Sequence, residues 1–402
     1  MQLGSSYAQT GLVLALLHGA LCQPVLFGFL QPQALKPESK IDYSKYTHIN
    51  LAFALPQDNG TWTYTGESTL PSLVEEIHGK GPKVLMSFGG WSGSAHFSNI
   101  VKDPSTKDAF VQNIVDYVRK NNLDGADIDW EFPGSDGNCN SFDKEKDVPN
   151  FLKFLQDMRQ KFDTEFPDPN AKKLITLAVR VQPFQGPDGT PMSDVSEFAK
   201  VVDYAALMQY DINGPCINVT GPNAPLNFEK DKATQFSFAS TIDDWTKAGW
   251  PANQLTAGFA FYGHSMSVLE DMMLDPANQY KPHSDVVPSG DLVDESATDK
   301  CTNKTSFSGA WRFNNLLKQD VLADPVTAKE PWVRQFDDIT KTPWLFNKES
   351  KVYISYDDPE SIKEKAAFAA SKGLAGGMIW SIEMDTADQA LTRAILDNWP
   401  SA

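Results

Sequence analysis

The sequence predicts an α/β protein, a (β/α)8 TIM barrel with a small α+β insertion subdomain after strand seven. First, short β-rich runs alternate with amphipathic stretches, which is the pattern of repeated βα units. Second, the chain of 402 residues suits a barrel of about 250 residues that also carries an insertion. Third, no glycine-rich dinucleotide turn follows the first strand, which favours a closed barrel over an open doubly wound sheet.

The predicted elements follow one another in the strand–helix order of a barrel until the last third of the chain. The predicted strands are Val25–Leu30, Tyr46–Phe53, Lys83–Phe88, Leu123–Trp130, Lys173–Val181, Val202–Tyr210, Leu255–Phe261 and Leu374–Trp380. The predicted helices are Thr69–Lys80, Lys107–Asn121, Val148–Phe166, Ser240–Ala248, Pro359–Lys372 and Thr386–Asn398. The segment 264–356 is too long for one βα connection. We therefore assign 23–263 and 357–402 to the barrel and 264–356 to the insertion.

Composition limits the partners that we expect. Hydrophobic residues at 41% allow a substantial core, and 52 acids against 35 bases give a net charge of −17. This charge disfavours nucleic acid and anionic membrane surfaces as partners, whereas a neutral polysaccharide is compatible with it. We expect a monomer.

The first 22 residues are predicted to be a secretory signal peptide. The run Gly11–Cys22 is apolar, ends in small residues and is too short to span a bilayer. No Lys or Arg precedes Lys36, so a divergent N-terminal strand or an imperfect start site stays open as an alternative. A signal peptide predicts a secreted, extracellular protein, and sequons at Asn59, Asn218 and Asn303 fit a glycoprotein.

Three cysteines remain after the leader, which allow one disulfide bond and one free thiol. Cys139 follows strand four and Cys216 follows strand six, so both would lie on loops at one face of the barrel. We expect this pair to be bonded, rather than either of them with Cys301.

Three acids alternate along the fourth predicted strand. Side chains two residues apart share a face of a strand, so Asp127, Asp129 and Glu131 would project together. Ile128 and Trp130 would point into apolar packing. Burial and like charges favour retention of a proton, as a general acid requires. A solvated edge strand and a magnesium or calcium site are the alternatives. The histidines have no metal-ligand spacing, and we expect neither metal nor cofactor.

Several segments together resemble one known family. The octet Asp124–Glu131 resembles the D-G-x-D-x-D-x-E signature of the family 18 glycoside hydrolases, the chitinases. Ser87–Trp91 is similar to the S-x-G-G strand end of that family, and Met208–Asp211 is similar to its M-x-Y-D motif. Gly258–Gly263 resembles the strand that leads into an inserted subdomain, and Gly376–Trp380 belongs to a similar final quarter. The resemblance extends from about Val25 to the C-terminus and implies the branch with the insertion.

The resemblance implies substrate-assisted retaining hydrolysis of β-1,4 bonds between N-acetylglucosamine units of chitin. Glu131 would be the general acid, Asp129 would bind the acetamido N–H, and Asp127 would share a proton with Asp129. Tyr210 would donate to the acetamido group, and Trp380 would lie beneath the distorted sugar. The substrate-binding candidates are Trp380, Asp211, Met208, Trp91, Ser87 and Tyr262. Packing roles remain open, because Trp380 could be a barrel-layer aromatic, Met208 and Ser87 core support, and Trp91 a cover of the barrel mouth.

Some positions depart from the family pattern. The first strand has Gly28-Phe29 in place of Gly-Tyr, whose hydroxyl helps to hold the innermost aspartate, so Ser87 is the expected remaining partner of Asp127. His264 replaces an arginine after strand seven, and the aromatic residue that often follows the M-x-Y-D motif by a few residues is absent from Asn213-Gly214-Pro215-Cys216. Two other functions stay open. One is an endo-β-N-acetylglucosaminidase that acts on N-glycan cores. The other is a chitinase-like lectin without hydrolysis, although such proteins typically lack the acid that is present here as Glu131.

Overall fold

The computed structural model describes residues 24–35 and 40–399, in which eight parallel strands close into a barrel. The first strand pairs with both the second and the last, which closes the ring. The predicted (β/α)8 fold and its strands are thus confirmed, with small differences at the ends. The barrel strands are Val25–Leu30, His48–Pro56, Lys83–Gly89, Gly125–Asp129, Leu174–Val179, Tyr204–Leu207, Leu255–Ala260 and Gly376–Trp380. The short strand Trp62–Thr63 extends the second barrel strand as an antiparallel hairpin.

Helices surround the barrel, and local capping explains where several of them begin. The helix predicted from residue 107 starts earlier, at Pro104, because Asp103 accepts a hydrogen bond from the backbone N–H of Thr106. Ser237 and Asp358 form capping boxes at the starts of two later helices. The α-helices are Leu70–His78, Phe97–Lys102, Pro104–Lys120, Asp147–Glu165, Ser196–Ala199, Phe238–Lys247, Phe313–Lys318, Pro359–Ser371 and Ala390–Asp397.

Two apolar layers hold the barrel together. The larger layer lies between strands and helices and contains the ring stacks of Phe110, Phe151 and Phe154. The smaller layer lies among inward-facing side chains, namely Phe27, Phe29, Ala52, Ala178, Ala206 and Met378. Because three of these are alanines, the interior leaves room for acids from the fourth strand.

The chain between the seventh and eighth barrel strands forms a second, antiparallel sheet. Its strands, in sheet order, are Ala310–Arg312, Tyr262–Ser267, Val352–Ser355, Thr342–Asn347 and Trp332–Asp337. The helix Phe313–Lys318 follows the strand Ala310–Arg312, and two short hairpins complete the segment. The hairpin strands are Ala297–Thr298 with Thr305–Ser306, and Leu322–Asp324 with Thr327–Ala328. The interruption of the sequence pattern thus coincides with an α+β segment.

The disulfide bond joins Cys139 to Cys301, and Cys216 is an exposed free thiol. The expected pair of Cys139 and Cys216 is therefore wrong. That expectation considered only the barrel loops, whereas the insertion folds back and brings its hairpin next to the loop after strand four. The predicted leader lies outside the described residues. Within the described ranges, no helix combines the length and apolarity that a membrane crossing requires.

Candidate active site

Three carboxylates follow one another along the end of the fourth barrel strand. Asp127 and Asp129 are buried within the strand Gly125–Asp129, and Glu131 lies just beyond it. Ile128 and Trp130 pack on the opposite side in the core, where Trp130 stacks on Phe97. The predicted division between an acidic and an apolar face is confirmed.

Asp127 is fully buried and accepts hydrogen bonds from two hydroxyl groups. Ser87 donates to its Oδ2 at 2.6 Å, and Thr176 donates to its Oδ1 at 2.6 Å. Burial raises the pKa of Asp127 to about 6 although both hydroxyls favour the ionised form. The expectation for Ser87 is confirmed, whereas Thr176 was not anticipated. Thr176 lies opposite Asp127 in the strand register, and sequence alone does not reveal that register.

Asp129 is buried without a hydrogen-bond partner on Oδ1. Burial, followed by the charges of Glu131 and Asp127, raises the pKa of Asp129 well above its ordinary value. Burial thus favours the protonated form of Asp129 over the ionised form. A buried polar atom without a partner is unfavourable, so Oδ1 is available to a ligand that enters the site.

The backbone around Asp129 is fixed by the glycine pair that ends the third strand. Gly89 has a φ of +116°, and a Cβ there would lie 2.1 Å from the carbonyl oxygen of Asp129. The backbone N–H of Gly90 donates to the same oxygen at 2.8 Å. The S-x-G-G segment thus allows a close approach that a side chain at residue 89 would prevent.

Glu131 is only partly buried, and its backbone is held on both sides. Ser94 Oγ accepts from its N–H at 2.8 Å, and Asn140 Nδ2 donates to its carbonyl at 3.1 Å. Burial, with a smaller contribution from the negative charge of Asp211, raises the pKa of Glu131 to about 8. The side chain therefore carries a proton near neutral pH and is accessible from the cleft.

A second group of polar side chains comes from the sixth and seventh strands. Asp211 Oδ1 accepts from Tyr262 Oη at 2.7 Å and lies 2.8 Å from His264 Nε2. Partial desolvation within the cleft opposes ionisation of Asp211, whose side chain is exposed at the cleft mouth, but the hydrogen bond and charge of His264 outweigh it and the pKa of Asp211 is lowered. Tyr210 Oη contacts the weak acceptor Met378 Sδ at 3.8 Å. Burial raises the pKa of Tyr210 well above its ordinary value, so its hydroxyl remains a donor.

These side chains line one cavity of about 840 Å³ at the carboxyl ends of the barrel strands. This is the face at which active sites of (β/α)8 enzymes lie. Trp380 stacks on Phe53 with 5.4 Å between ring centroids, and Trp91 is half exposed at the rim. The cavity therefore combines an aromatic wall with a group of acids, which suits a sugar chain.

The structure brings most of the predicted site residues together. Those that line the cavity are Asp129, Glu131, Tyr210, Asp211, Met208, Trp91, Tyr262 and Trp380. Asp127 and Ser87 are buried and hydrogen-bonded to each other. The cavity is also lined by residues that were not predicted from the sequence, namely Phe53, Phe132, Asp136, Ala178, Arg180, Val181, Ile212, Thr234, Phe236 and Ser308. Phe53 and Arg180 could have been predicted from the sequence, because they lie near strand ends. Phe236 and Ser308 lie on long connections, where no such pattern marks them. No aromatic residue follows Asp211 within the next few positions, but Phe236, farther along the same connection, places an aromatic ring in the cavity.

The residues that the structure describes include no group of three or more His, Cys, Asp or Glu side chains arranged to hold a metal ion. Of the acids at the strand end, Asp127 is held by the hydroxyl groups of Ser87 and Thr176.

The fold and this acidic strand end define a (β/α)8-barrel protein with a glycosidase-type cleft. The chain belongs to glycosyl hydrolase family 18, because the model described as "Glycosyl hydrolases family 18" matches residues 25–385. A protein of Moniliophthora roreri named "chitinase-like effector" is 36% identical over 364 residues, which cover 88% of this chain and 87% of that protein. Chitinase A1 of Niallia circulans is 31% identical, with coverage of 75% of this chain and 40% of its own length. The crystal structure of a chitinase from Rhizomucor miehei superposes with a TM-score of 0.85 at 34% identity and covers 93% of this chain and 99% of its own.

Proposed function

We propose that the protein hydrolyses β-1,4 bonds between N-acetylglucosamine units of chitin and its oligomers, with retention of configuration. The observation that carries this proposal is the protonated Glu131 at the mouth of a cavity that also holds Asp129, Tyr210 and Trp380. Membership of family 18 and relatives named as chitinases support the same substrate.

Glu131 is suited to protonate the glycosidic oxygen. A general acid needs a pKa near the operating pH, and burial raises that of Glu131 to about 8. After the bond breaks, the resulting carboxylate can take a proton from water. Ser94 and Asn140 fix the backbone at Glu131, which limits the positions that its carboxyl group can take in both steps.

The row of acids Asp127, Asp129 and Glu131 favours attack by the acetamido group of the substrate over attack by a carboxylate of the protein. A nucleophile must be ionised, and the raised pKa of Asp129 favours the neutral acid. Asp211 is ionised, but its Oδ1 is engaged by Tyr262 and His264. The acetamido oxygen of the bound sugar therefore attacks the anomeric carbon and forms an oxazolinium ion, an exception to the two-carboxylate scheme. Oδ1 of Asp129 would accept from the acetamido N–H, which supplies its missing partner.

Tyr210 and Trp380 position the reacting sugar. The Tyr210 hydroxyl has only the weak thioether acceptor of Met378 and can donate to the acetamido oxygen. Trp380 lies against the ring of Phe53 and offers a flat apolar surface to the sugar. The Asp127 carboxylate, held by Ser87 and Thr176, would exchange a proton with Asp129 as charge develops on the sugar.

Hydrolysis of chitotetraose by matched variants tests the proposal. Wild type should release shorter oligomers, and Glu131→Gln should lower kcat by at least about a hundredfold, the usual contribution of a general acid. Glu145→Gln removes an exposed acid in the following loop and should leave the rate unchanged. An unchanged rate in Glu131→Gln would contradict the assigned role.

A second function, binding of chitin oligomers without hydrolysis, is favoured by two relatives that are named chitinase-like effectors. The replacement of tyrosine by Phe29 does not by itself support this alternative, because Thr176 supplies a second hydroxyl to Asp127. Calorimetry on wild type with chitotetraose separates the two functions. Tight binding with no products over hours would support the binding protein.

We also propose that the protein acts outside the cell. The Cys139–Cys301 disulfide bond supports this, since such bonds persist mainly in oxidising compartments. Reduced thiols at both positions in protein isolated from the organism's cytosol would contradict it.

A further inference from the structure

Arg180 places a positive charge in the wall of the cleft, beside the loop that follows Glu131. It comes directly after the fifth barrel strand and lines the same cavity as Glu131 and Asp129. Its carbonyl oxygen accepts from Trp245 Nε1 at 3.0 Å, which fixes the backbone at this point. The proposed mechanism gives this side chain no role.

The guanidinium is held in one orientation by neutral partners. It donates to Ser135 Oγ at 3.2 Å and to Gln182 Oε1 at 3.2 Å. It also lies over the ring of Phe132, 5.4 Å from the centroid. Phe132 and Ser135 belong to the loop immediately after Glu131. The guanidinium of Arg180 is therefore attached to the same loop that follows the acid. A guanidinium has five N–H donors, and these contacts use only two of them.

No carboxylate neutralises this charge at short range. Within residues 24–35 and 40–399, Arg180 takes part in no ion pair. Burial lowers its pKa, but an arginine side chain remains charged at any working pH. Asp136 lines the same cavity, but its side chain is exposed and solvent screens it more strongly than the half-buried guanidinium. Glu131 is neutral at the pH of interest and does not compensate the charge.

The position relative to the acid indicates which sugars meet Arg180. In the proposed mechanism Trp380, at the end of the eighth strand, lies beneath the sugar whose anomeric carbon reacts, and Glu131, just beyond the fourth strand, lies across the barrel from it. Arg180 is on the fifth strand, next to that of Glu131. A sugar chain that passes Glu131 therefore meets Arg180 on its leaving-group side.

We propose that Arg180 is a specificity-determining residue that selects acetylated over deacetylated sugars on the leaving-group side of the cleaved bond. Chitin and its deacetylated form differ only at the 2-amino group. An acetamido carbonyl can accept from the unused N–H donors, whereas a protonated amine is repelled by the fixed charge. This inference rests on the proposed hydrolysis, but it concerns a different part of the substrate from the reacting sugar.

Digestion of partly deacetylated chitosan at mildly acidic pH tests the proposed hydrolysis and the role of Arg180 in one experiment. Each cut creates a new reducing end from the reacting sugar and a new non-reducing end from the leaving-group side. Mass spectrometric sequencing of the products identifies the sugars at both ends. Wild type should give acetylated sugars at both, and Arg180→Gln should raise the share of glucosamine at the first two non-reducing positions. The expected change in this preference is at least roughly tenfold, the effect of a repulsion between two unit charges about 12 Å apart near a protein surface.

Two further variants separate charge from general damage to the site. Arg180→Lys keeps the charge and should retain the preference of wild type. Arg119→Gln removes one positive charge from an exposed position on the helix Pro104–Lys120 and should change nothing. An unchanged preference in Arg180→Gln, or a preference lost equally in Arg180→Lys, would overturn the proposal.

The outcome also distinguishes failure of this inference from failure of the proposed hydrolysis. Glucosamine at the new reducing ends would contradict substrate assistance. The role of Arg180 would still be tested by the sugars at the new non-reducing ends. If wild type cleaves nothing, calorimetry with chitotetraose and its fully deacetylated counterpart replaces digestion. Wild type should then prefer the acetylated oligomer more strongly than Arg180→Gln does, and equal preferences would overturn the role of Arg180.

Discussion

At the scale of single residues, burial and neighbouring groups raise the pKa values of the acids Asp127, Asp129 and Glu131 to different extents. Asp127 has a pKa of about 6, because two hydroxyl donors partly offset its burial. Glu131 has a pKa of about 8, because burial and, to a smaller extent, the charge of Asp211 oppose its ionisation. Groups with separated pKa values are typical of sites that transfer protons.

The pH dependence of activity should report the proton on Glu131. As the pH rises through about 8, Glu131 loses the proton that the leaving group requires, so kcat/KM for chitotetraose should fall. Asp211→Asn removes a negative charge that raises this pKa, and the alkaline limb should then move to lower pH. Rate profiles of both proteins measure the shift. A limb that stays in place, or moves to higher pH, would show that another group controls it.

Glu131 should also make stability depend on pH. Its pKa is higher in the folded protein than its ordinary value of 4.5, so its contribution to the free energy of unfolding is greatest at low pH. That contribution is lost as the pH rises from about 4.5 through 8. The midpoint of thermal unfolding of Glu131→Gln, relative to wild type, should therefore be higher at pH 9 than at pH 5, by about 2 °C or more. An equal difference at both pH values would contradict the raised pKa.

At the scale of elements, the disulfide bond fastens the insertion to the loop after the acidic strand. Cys139 lies eight residues after Glu131 by sequence number, and Cys301 lies between the hairpin strands Ala297–Thr298 and Thr305–Ser306. Asp136 and Ser308, near either end of the bond in sequence, both line the cavity. The bond therefore connects two walls of the cleft.

Removal of this bond should destabilise the protein. The double variant Cys139→Ser with Cys301→Ser opens a crosslink across 162 residues of sequence separation. The free energy of unfolding should fall by about 2–4 kcal/mol, as measured by denaturant titration. Cys216→Ser is the matched control, because that thiol is exposed and unpaired, and it should have no effect. The reverse ranking of the two variants would contradict the observed pairing.

The barrel strands and most of the helices were predictable because their patterns are local. The apolar runs of the strands and the capping residues of the helices lie within each element. The disulfide pairing was not predictable, because it depends on where an insertion of irregular sequence folds relative to a distant loop. The hydrogen bond from Thr176 to Asp127 was missed for a similar reason, since it depends on the register between two strands.

At the scale of the whole molecule, the candidate site was predictable to the extent that motif residues sit at strand ends. Closure of the barrel brings strand ends from all around the ring to one mouth, so Glu131, Tyr210 and Trp380 meet although they are far apart in sequence. Residues on long connections, such as Phe236 and Ser308, enter the cavity through tertiary folding. No local pattern marks such residues.

The net charge of −17 should not control catalysis on a neutral sugar chain. Electrostatic steering requires a charged ligand, so kcat/KM for chitotetraose should change by less than about twofold between roughly 0.05 and 0.5 M NaCl. Steady-state kinetics across this range tests the expectation. A steep fall with salt would indicate that long-range charge attraction contributes to substrate capture.

The configuration of the first product distinguishes substrate-assisted hydrolysis from direct attack by water on the anomeric carbon. Chitotetraose is mixed with wild type, and NMR spectra of the anomeric protons are recorded before mutarotation equilibrates the products. Substrate-assisted hydrolysis with Glu131 as the acid predicts that the newly formed reducing ends are β-anomers and that Glu131→Gln forms almost none. Newly formed α-anomers would mean direct attack by water with inversion. They would contradict the account of how this row of acids works.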